Sequence, residues 1–218
     1  MDGHQFIRTN TKLLPVPLVP EIRLHLAEES LPIWRKTEEE LGEMNVPPPY
    51  WAFAWAGGQA LARYLLDNPT GVAGAHVLDL GSGSGLTAIA AMRAGAVRVL
   101  ATDIDTLALA AIDLNAAANV VAVEATQEDL LAMPSNEVGE RFNVVLVGDL
   151  FYERTLAERV LAFIESASAN GAEVLVGDPR RGYFPKDRFC QLVEYAVPVT
   201  RELEDAEIKR TAVWRLAA

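Results

Sequence analysis

The stretch that decides the fold is HVLDLGSGSGL, residues 76–86. Its apolar first half predicts a buried β-strand over His76–Leu80, and Leu86 opens an Ala/Leu-rich helical pattern that continues to Arg93. Between them, glycines at alternate positions let the backbone turn sharply and approach a ligand closely, because no Cβ stands in the way. The stretch therefore predicts a ligand site at the carboxyl end of a strand, where open α/β sheets bind their ligands.

The same alternation of short apolar runs and longer helical patterns continues along the chain and predicts a parallel sheet. Two extended runs then close the sequence without a helix between them, which predicts an antiparallel hairpin. A parallel sheet finished by a hairpin is typical of the Rossmann-like, seven-strand methyltransferase fold, whereas a dinucleotide-binding domain completes a second βαβαβ half. The further predicted strands are 97–102, 120–124, 143–148, 173–177, 193–200 and 209–216, and the further helices are 107–118, 156–167 and 186–192.

Ahead of the sheet, residues 1–48 are interpreted as an N-terminal helical extension that packs on the core, and residues 49–218 as the methyltransferase domain. Helices are predicted over 21–26 and 31–43. Three prolines at 47–49 then stop any helix and favour extended backbone. A further helix over 54–66 leads toward the first strand of the sheet.

Composition narrows the possible partners. A chain of 218 residues, half of them apolar, is the right size for one well-packed domain. Its formal charge of -11 argues against general nucleic-acid binding and suits a lysine-rich partner. The single cysteine, Cys190, excludes an internal disulfide, and the spacing of cysteine and histidine matches no metal site.

With neither a signal peptide nor a membrane span in the pattern, we expect a monomer in the bacterial cytoplasm, or in the mitochondrial matrix if it is a processed eukaryotic form.

Asp79 favours S-adenosylmethionine over a dinucleotide as the cofactor. A permissive dinucleotide motif exists at Gly83, Gly85 and Ala88. A carboxylate just before the glycines, however, suits the ammonium group of a methionine and would repel a pyrophosphate. The glycine turn and Asp79 together predict a methyl donor.

Three further acidic positions follow the next two strands. Asp103, at the end of the second strand, is placed to accept the ribose hydroxyls of a nucleoside cofactor. Asp105 is interpreted mainly as a helix cap. Asp129, and less so Glu128, lies where this class supplies a polar group to the adenine edge, with helix capping as the alternative interpretation.

Two other motifs are PYWAFAWAGGQ at residues 49–59 and GDLFYE at 148–153. With the glycine turn, with GDPR at 177–180 and with TAVW at 211–214, they resemble the electron transfer flavoprotein beta subunit lysine methyltransferases. These are seven-strand enzymes with an Asp-x-x-Tyr acceptor motif, and the resemblance extends from about Pro20 to the end of the chain. Ala56 stands where many relatives have proline, which is a conservative departure.

The resemblance implies a protein-lysine methyltransferase that uses S-adenosyl-L-methionine and acts on the electron transfer flavoprotein beta subunit. Asp149 and Tyr152 would be the catalytic residues lining the lysine channel, with Trp55 beside the adenosine. The resemblance implies that Trp55, Asp79, Gly81, Gly83 and Asp103 bind the cofactor. The other predicted cofactor-binding residues are Ser82, Ile104, Asp129 and Gly148.

An aromatic channel lowers the pKa of a lysine by desolvation, whereas a nearby Asp149 raises it. Our hypothesis is that Asp149 binds and orients the ammonium group, whose proton then leaves to solvent before methyl transfer. Of the aromatic residues, Phe53 is interpreted as core and Tyr152 as functional. The alternatives are methylation of a nicotinamide-like small molecule or of another protein such as a ribosomal protein, a non-catalytic binding protein and, most distantly, a dinucleotide oxidoreductase.

Overall fold

A computed structural model describes residues 2–27, 48–132, 141–204 and 206–217. Over these residues the chain builds a seven-stranded central sheet in the order β5-β4-β3-β6-β7-β9-β8. Strands β3 to β7 are parallel, and β9 runs antiparallel to both β7 and β8. The strands are β3 (His76–Leu80), β4 (Arg98–Thr102), β5 (Glu124–Thr126), β6 (Val144–Gly148), β7 (Glu173–Asp178), β8 (Phe189–Pro198) and β9 (Ile208–Leu216). The predicted fold class is thereby confirmed.

Helices cover both faces of this sheet, and successive residues of β6 are buried on opposite faces. Val144 and Leu146 face a core that includes residues of α2, α3 and α4, whereas Val145 and Val147 face a second core that includes α5. Because both faces are buried, β6 is a continuous apolar run, as expected for the centre of a parallel sheet. The helices are α2 (Ala56–Asp67), α3 (Leu86–Arg93), α4 (Thr106–Ala118), α5 (Arg154–Ala169) and the short α6 (Arg201–Glu204).

The N-terminal segment is a helix and a hairpin, so the predicted helix over 21–26 is wrong. After α1 (Gly3–Asn10), strand β1 (Lys12–Val16) pairs antiparallel with β2 (Val19–Leu26) across a turn at residues 17–18. Ile22, Leu24 and Leu26 are buried at alternate positions, which is the period of a strand. This burial outweighs the weak helix propensity of the Glu/Leu-rich segment. The helix predicted over 31–43 lies outside the described residues.

The helix predicted over 186–192 is also wrong. Only Lys186–Arg188 make a single 3-10 turn, and β8 then begins at Phe189, four residues before the predicted strand. Phe189 pairs with Leu216, so the whole length of β9 is matched by β8. Strand β8 has one residue more than β9 over this pairing, and an irregularity between Gln191 and Val193 accommodates it. Pairing with β9 therefore decides the conformation of this segment, and local propensity does not.

Strand β5 is shorter and later than predicted. The predicted strand began at Val120, whose φ of 57° lies in the left-handed region just after α4. A residue that reverses the chain after a helix cannot start a strand, and pairing with β4 begins only at Glu124. Elsewhere the predicted strands and helices agree with the structure to within about two residues, and β3 and α3 have the predicted bounds.

In the part of the chain that the structure describes, no helix is long and apolar enough to span a bilayer. Over the same residues, acidic, histidine and cysteine side chains form no cluster suited to a metal ion.

Candidate active site

A cleft of about 410 Å³ opens at the carboxyl ends of β3, β4 and β6. This is the edge of the sheet at which the glycine turn lies, and the volume falls within the usual range for a small-molecule site. One side of the cleft is formed by the segment ahead of α2, and the other by the loops after β5 and β6. Predicted residues that line it are Trp55, Gly81, Ser82, Gly83, Asp103, Ile104, Asp129, Gly148, Asp149 and Tyr152.

The glycine turn depends on left-handed backbone at each of its three glycines. Gly81, Gly83 and Gly85 have φ values of 62°, 54° and 81°. A Cβ on Gly81 would also lie 2.8 Å from a methyl of Leu150. Conformation therefore favours glycine at all three positions, as the sequence predicts, and lack of space excludes a side chain at Gly81 as well.

Asp79 lies beneath this turn and is 1% exposed. Its Oδ2 accepts hydrogen bonds from Ser82 Oγ at 2.5 Å and from the Ala88 N–H at 3.1 Å, and its Oδ1 accepts one from Thr87 Oγ1 at 2.6 Å. Burial raises the pKa of Asp79 to about 6 even though these donors oppose the shift. The contacts make Asp79 a brace between the turn and the start of α3. Its predicted contact with a cofactor ammonium group stays a prediction.

The carboxylate of Asp103 accepts hydrogen bonds from backbone N–H groups beside the cleft. Its Oδ2 accepts from the Gly83 N–H at 2.8 Å and its Oδ1 from the Asp105 N–H at 3.0 Å. Burial raises the pKa of Asp103, and these backbone donors oppose that shift. The Ile104 N–H also acts on this carboxylate, and because a carboxylate has about four acceptor positions, Asp103 retains capacity for a hydroxyl group in the cleft. Asp105 caps α4 by accepting from the Leu107 N–H at 2.8 Å, which confirms the capping interpretation.

Asp129 lines the cleft and also takes part in two contacts of its own. Its Oδ1 accepts from the Leu131 N–H at 3.1 Å, and its Oδ2 accepts from Arg159 at 2.7 Å. Glu128 lies next to it in the cleft wall, with Leu130 on the other side. The loop thus offers both polar and apolar surface to a flat ligand.

Aromatic rings form the opposite wall. Trp55 occupies the N-cap position of α2 and donates from Nε1 to the Tyr50 carbonyl at 2.9 Å. Its ring packs edge-on against Tyr50 and Phe53, with centroids 5.9 and 6.0 Å apart. Phe53 is 9% exposed, as expected for core, whereas Tyr152 is 45% exposed with its ring 5.6 Å from that of Tyr50.

Asp149 follows β6 in a left-handed conformation with φ 59°, which is uncommon outside glycine but tolerated by aspartate. Its N–H donates to the Gly177 carbonyl at 3.0 Å, and its Oδ2 accepts from the Gly58 N–H at 3.0 Å. Asp149 is 7% exposed, and burial raises its pKa, a shift that Arg181 opposes. The carboxylate is therefore fixed in direction at the inner end of the cleft.

This position depends on a close contact between α2 and β7. A Cβ on Gly57 would lie 2.1 Å from the Gly177 carbonyl oxygen and 2.5 Å from Asp149 Oδ2. The first turn of α2 therefore rests directly on the end of β7 and aims the Gly58 N–H at Asp149. The pair of glycines at 57 and 58 in the sequence was a visible signal for this contact.

Arg181 is a cleft residue that the sequence reasoning missed. Its Nη2 lies 2.6 Å from Asp149 Oδ1, and its guanidinium lies over the Trp55 ring, 5.7 Å from the centroid. The same Nη2 contacts Glu204 of α6 at 2.7 Å. Its place after β7, at the same edge of the sheet as Asp149, was the available signal.

Known proteins resemble this chain over most of its length. The family model described as ribosomal protein L11 methyltransferase (PrmA) matches residues 60–171. The electron transfer flavoprotein beta subunit lysine methyltransferase of Mus musculus is 39% identical over 203 residues, which are 90% of this chain and 77% of that protein. The Homo sapiens protein of the same name is 36% identical over 96% of this chain and 80% of its own.

Among solved structures, magnesium protoporphyrin IX methyltransferase from Synechocystis PCC 6803 with bound SAM superimposes with a TM-score of 0.53. It covers 85% of this chain and 88% of its own at 15% identity, which supports the fold alone.

Proposed function

Because the chain belongs to the electron transfer flavoprotein beta subunit lysine methyltransferase family, we propose that it methylates lysine side chains of an electron transfer flavoprotein beta subunit. The methyl donor is S-adenosylmethionine. The observation that carries the lysine acceptor is the position of Asp149, a carboxylate fixed at the inner end of a cleft that aromatic rings line on one side. A fixed carboxylate beside aromatic rings has the chemistry to orient the nitrogen of a lysine and to pack its alkyl stem.

The cleft residues fit the proposed donor. Asp103 retains acceptor capacity for the ribose hydroxyls, and the apolar Ile104 and Leu130 with the polar Asp129 suit an adenine ring and its amino edge. Gly83 lines the same cleft, and the absence of a side chain there lets a ligand approach its backbone closely. When bound, the donor supplies a methyl group on a cationic sulfur, and the amine nitrogen forms a bond to that carbon as the bond to sulfur breaks.

The acceptor residues would bind and orient the lysine. Asp149 lies at the inner end of the cleft, while Tyr152 is half-exposed at its mouth beside Tyr50. A lysine entering past the two tyrosine rings would bury its alkyl stem against them and reach Asp149 with its nitrogen. Positioning of this kind supplies a large part of the acceleration of a direct displacement.

The test is the intact mass of purified electron transfer flavoprotein beta subunit after incubation with the protein and S-adenosylmethionine. Wild type is expected to add about 14 Da per methyl group. Asp149→Asn, which keeps the size of the side chain and removes its charge, is expected to lower the rate at least about 100-fold, on the scale of a lost transition-state contact. Binding of S-adenosylhomocysteine, measured by calorimetry, is expected to persist.

Glu158→Gln is the matched control, because it removes a carboxylate that is exposed on α5. It is expected to retain the wild-type rate. Ribosomal protein L11, offered in parallel, tests the other acceptor that the family model suggests. Mass gain on L11 alone would contradict the proposed substrate, and equal rates for Asp149→Asn and wild type would contradict the role of Asp149.

A further inference from the structure

Arg181 is held in the cleft by a buried network of charges. Its Nε and Nη2 both contact Asp149 Oδ1, at 2.9 and 2.6 Å, while its Nη1 and Nη2 contact the two oxygens of Glu204 at 2.9 and 2.7 Å. The side chain of Arg181 is 17% exposed, so the guanidinium is fixed on both sides. A planar guanidinium is suited to bridging two carboxylates in this way.

Glu204 is itself fixed. It is 6% exposed on α6, between β8 and β9, and Lys209 Nζ lies 2.8 Å from its Oε2. Burial alone would raise the pKa of Glu204, but the hydrogen bonds from Arg181 and Lys209 outweigh it and lower the pKa. Glu204 is therefore an anion at neutral pH and holds Arg181 where Asp149 can meet it.

Arg181 offsets negative charge in this network in the absence of an acceptor. Asp149 and Glu204 are anions, and Arg181 and Lys209 are cations. The fifth group, Asp178 at the end of β7, has its pKa raised to about 7 by burial and by Asp149, and so it adds a negative charge only above that pH. The Trp55 ring lies 5.7 Å from the Arg181 guanidinium, and Tyr152 lines the same cleft.

An acceptor amine that enters this network adds a positive charge if protonated and none if neutral. One guanidinium nitrogen of Arg181 already lies 2.6 Å from Asp149 Oδ1. Repulsion from this cation favours the neutral form of the amine. Without Arg181 the network would carry a net negative charge, which would bind the amine as ammonium and keep it protonated. Only the neutral amine has the lone pair that forms the new bond.

We propose that Arg181 is a positioning residue of the acceptor site, which Glu204 holds on Asp149 so that the carboxylate can orient the substrate amine without retaining its proton. This rests on the proposed function, since it concerns the protonation of the lysine acceptor.

The experiment is the pH dependence of kcat, from pH 6.5 to 10, with electron transfer flavoprotein beta subunit at saturation and the intact-mass readout. Arg181→Gln is expected to move the acid limb of the profile up by about one pH unit. The rate would then be about tenfold below wild type at low pH and would approach it at the top of the range. Arg181→Lys, which retains the charge, is expected to keep the limb close to that of wild type.

Arg180→Gln is the matched control, because the Arg180 side chain faces Gln191, Glu194 and the Trp214 ring outside the cleft. Its profile is expected to match wild type. An equal loss of kcat for Arg181→Gln at every pH, or an unmoved limb, would show a structural role and overturn the inference alone. Absence of methylation by wild type would overturn the proposed function and this inference together.

Should Arg181→Gln fail to fold, Glu204→Gln provides the opposite test. The glutamine keeps an amide oxygen that can accept from Arg181, so Arg181 stays on Asp149 while the network loses a negative charge, and the acid limb is expected to move to lower pH. A limb that stays in place or moves upward would overturn the inference.

Discussion

Substitution of Gly57 by alanine is expected to disturb the protein far more than the same substitution at the next residue. A Cβ on Gly57 would lie 2.1 Å from the Gly177 carbonyl oxygen, more than 1 Å short of ordinary contact. A Cβ on Gly58 would have its nearest neighbour, a methyl of Leu86, at 3.8 Å. Since the backbone of Gly57 is not in the left-handed region, the difference arises from space alone.

The magnitude follows from two effects. To make room for the methyl group, α2 must move away from β7 by about 1 Å, and overpacking of this kind costs about 1–3 kcal/mol. The movement also lengthens the 3.0 Å contact between the Gly58 N–H and Asp149 Oδ2, and a hydrogen bond to a charged group contributes about 1.5–3 kcal/mol. Gly57→Ala is therefore expected to lose about 3–5 kcal/mol, which for a domain of this size lowers the Tm by on the order of 10 °C.

Urea unfolding of Gly57→Ala, Gly58→Ala and wild type measures this directly. Gly58→Ala is expected to be as stable as wild type or up to about 1 kcal/mol more stable, since alanine is the better helix former. The Gly57 variant should also lose methyl transfer, because Asp149 loses a fixed partner. Unfolding free energies for the two variants that agree within about 1 kcal/mol would refute the close contact of α2 with β7.

Two further predictions concern buried polar groups. Asp178 has a pKa raised to about 7 by burial and by Asp149, above its ordinary 3.8, and its Oδ2 has no hydrogen-bond partner among the described residues. The stability that this raised pKa provides below about pH 4 is therefore lost as the pH rises through 7. Asp178→Asn has no carboxyl group to ionise, so its free energy of unfolding in urea should gain on that of wild type over this window by on the order of 3 kcal/mol. A difference between the two proteins that does not change with pH would contradict the assignment. The fully buried Asn115 accepts from the His25 N–H at 2.7 Å and donates to the Ser84 carbonyl at 2.8 Å. Asn115→Ala should therefore lower the free energy of unfolding by about 2–4 kcal/mol, whereas Asn170→Ala, at an exposed position, should lower it by less than about 0.5 kcal/mol. Similar losses for the two variants would contradict this prediction.

The cofactor half of the molecule could be predicted because its signals are local. Strand β3, the glycine turn and α3 follow one another within residues 76–93, and each has a pattern that depends on few distant contacts. Asp103 and Asp105 follow the next strand by the same rule, and their backbone partners are within twenty residues.

The segments that were predicted wrongly are those whose conformation depends on a distant partner. Strand β2 pairs with β1, and its Arg23 and His25 N–H groups donate to Asn119, the C-cap of α4, and to Asn115 within that helix. Strand β8 is extended from Phe189 because β9 lies beside it. Glu/Leu-rich and Lys/Asp-rich segments have no local feature that excludes a helix, so tertiary pairing decides between the two conformations.

Arg181 and Glu204 were missed for a related reason. They lie 32 and 55 residues beyond Asp149 in the sequence, and Glu204 belongs to a charged stretch that resembles a solvated loop. Only the order β7-β9-β8 brings the start of that stretch back beside the end of β6. A buried glutamate among exposed charged residues has no signature until its cationic partners are located.

The Asp-x-x-Tyr motif alone therefore does not make an acceptor site. The direction of the Asp149 carboxylate depends on the Gly58 N–H, at the N-terminus of a helix that favours negative charge, and that N–H reaches it only because neither Gly57 nor Gly177 has a Cβ. Its charge is offset by Arg181, which in turn depends on Glu204. A chain that kept the motif but had a larger residue at position 57 or 177 would lose the fixed carboxylate, and with it the geometry by which this site can orient an amine.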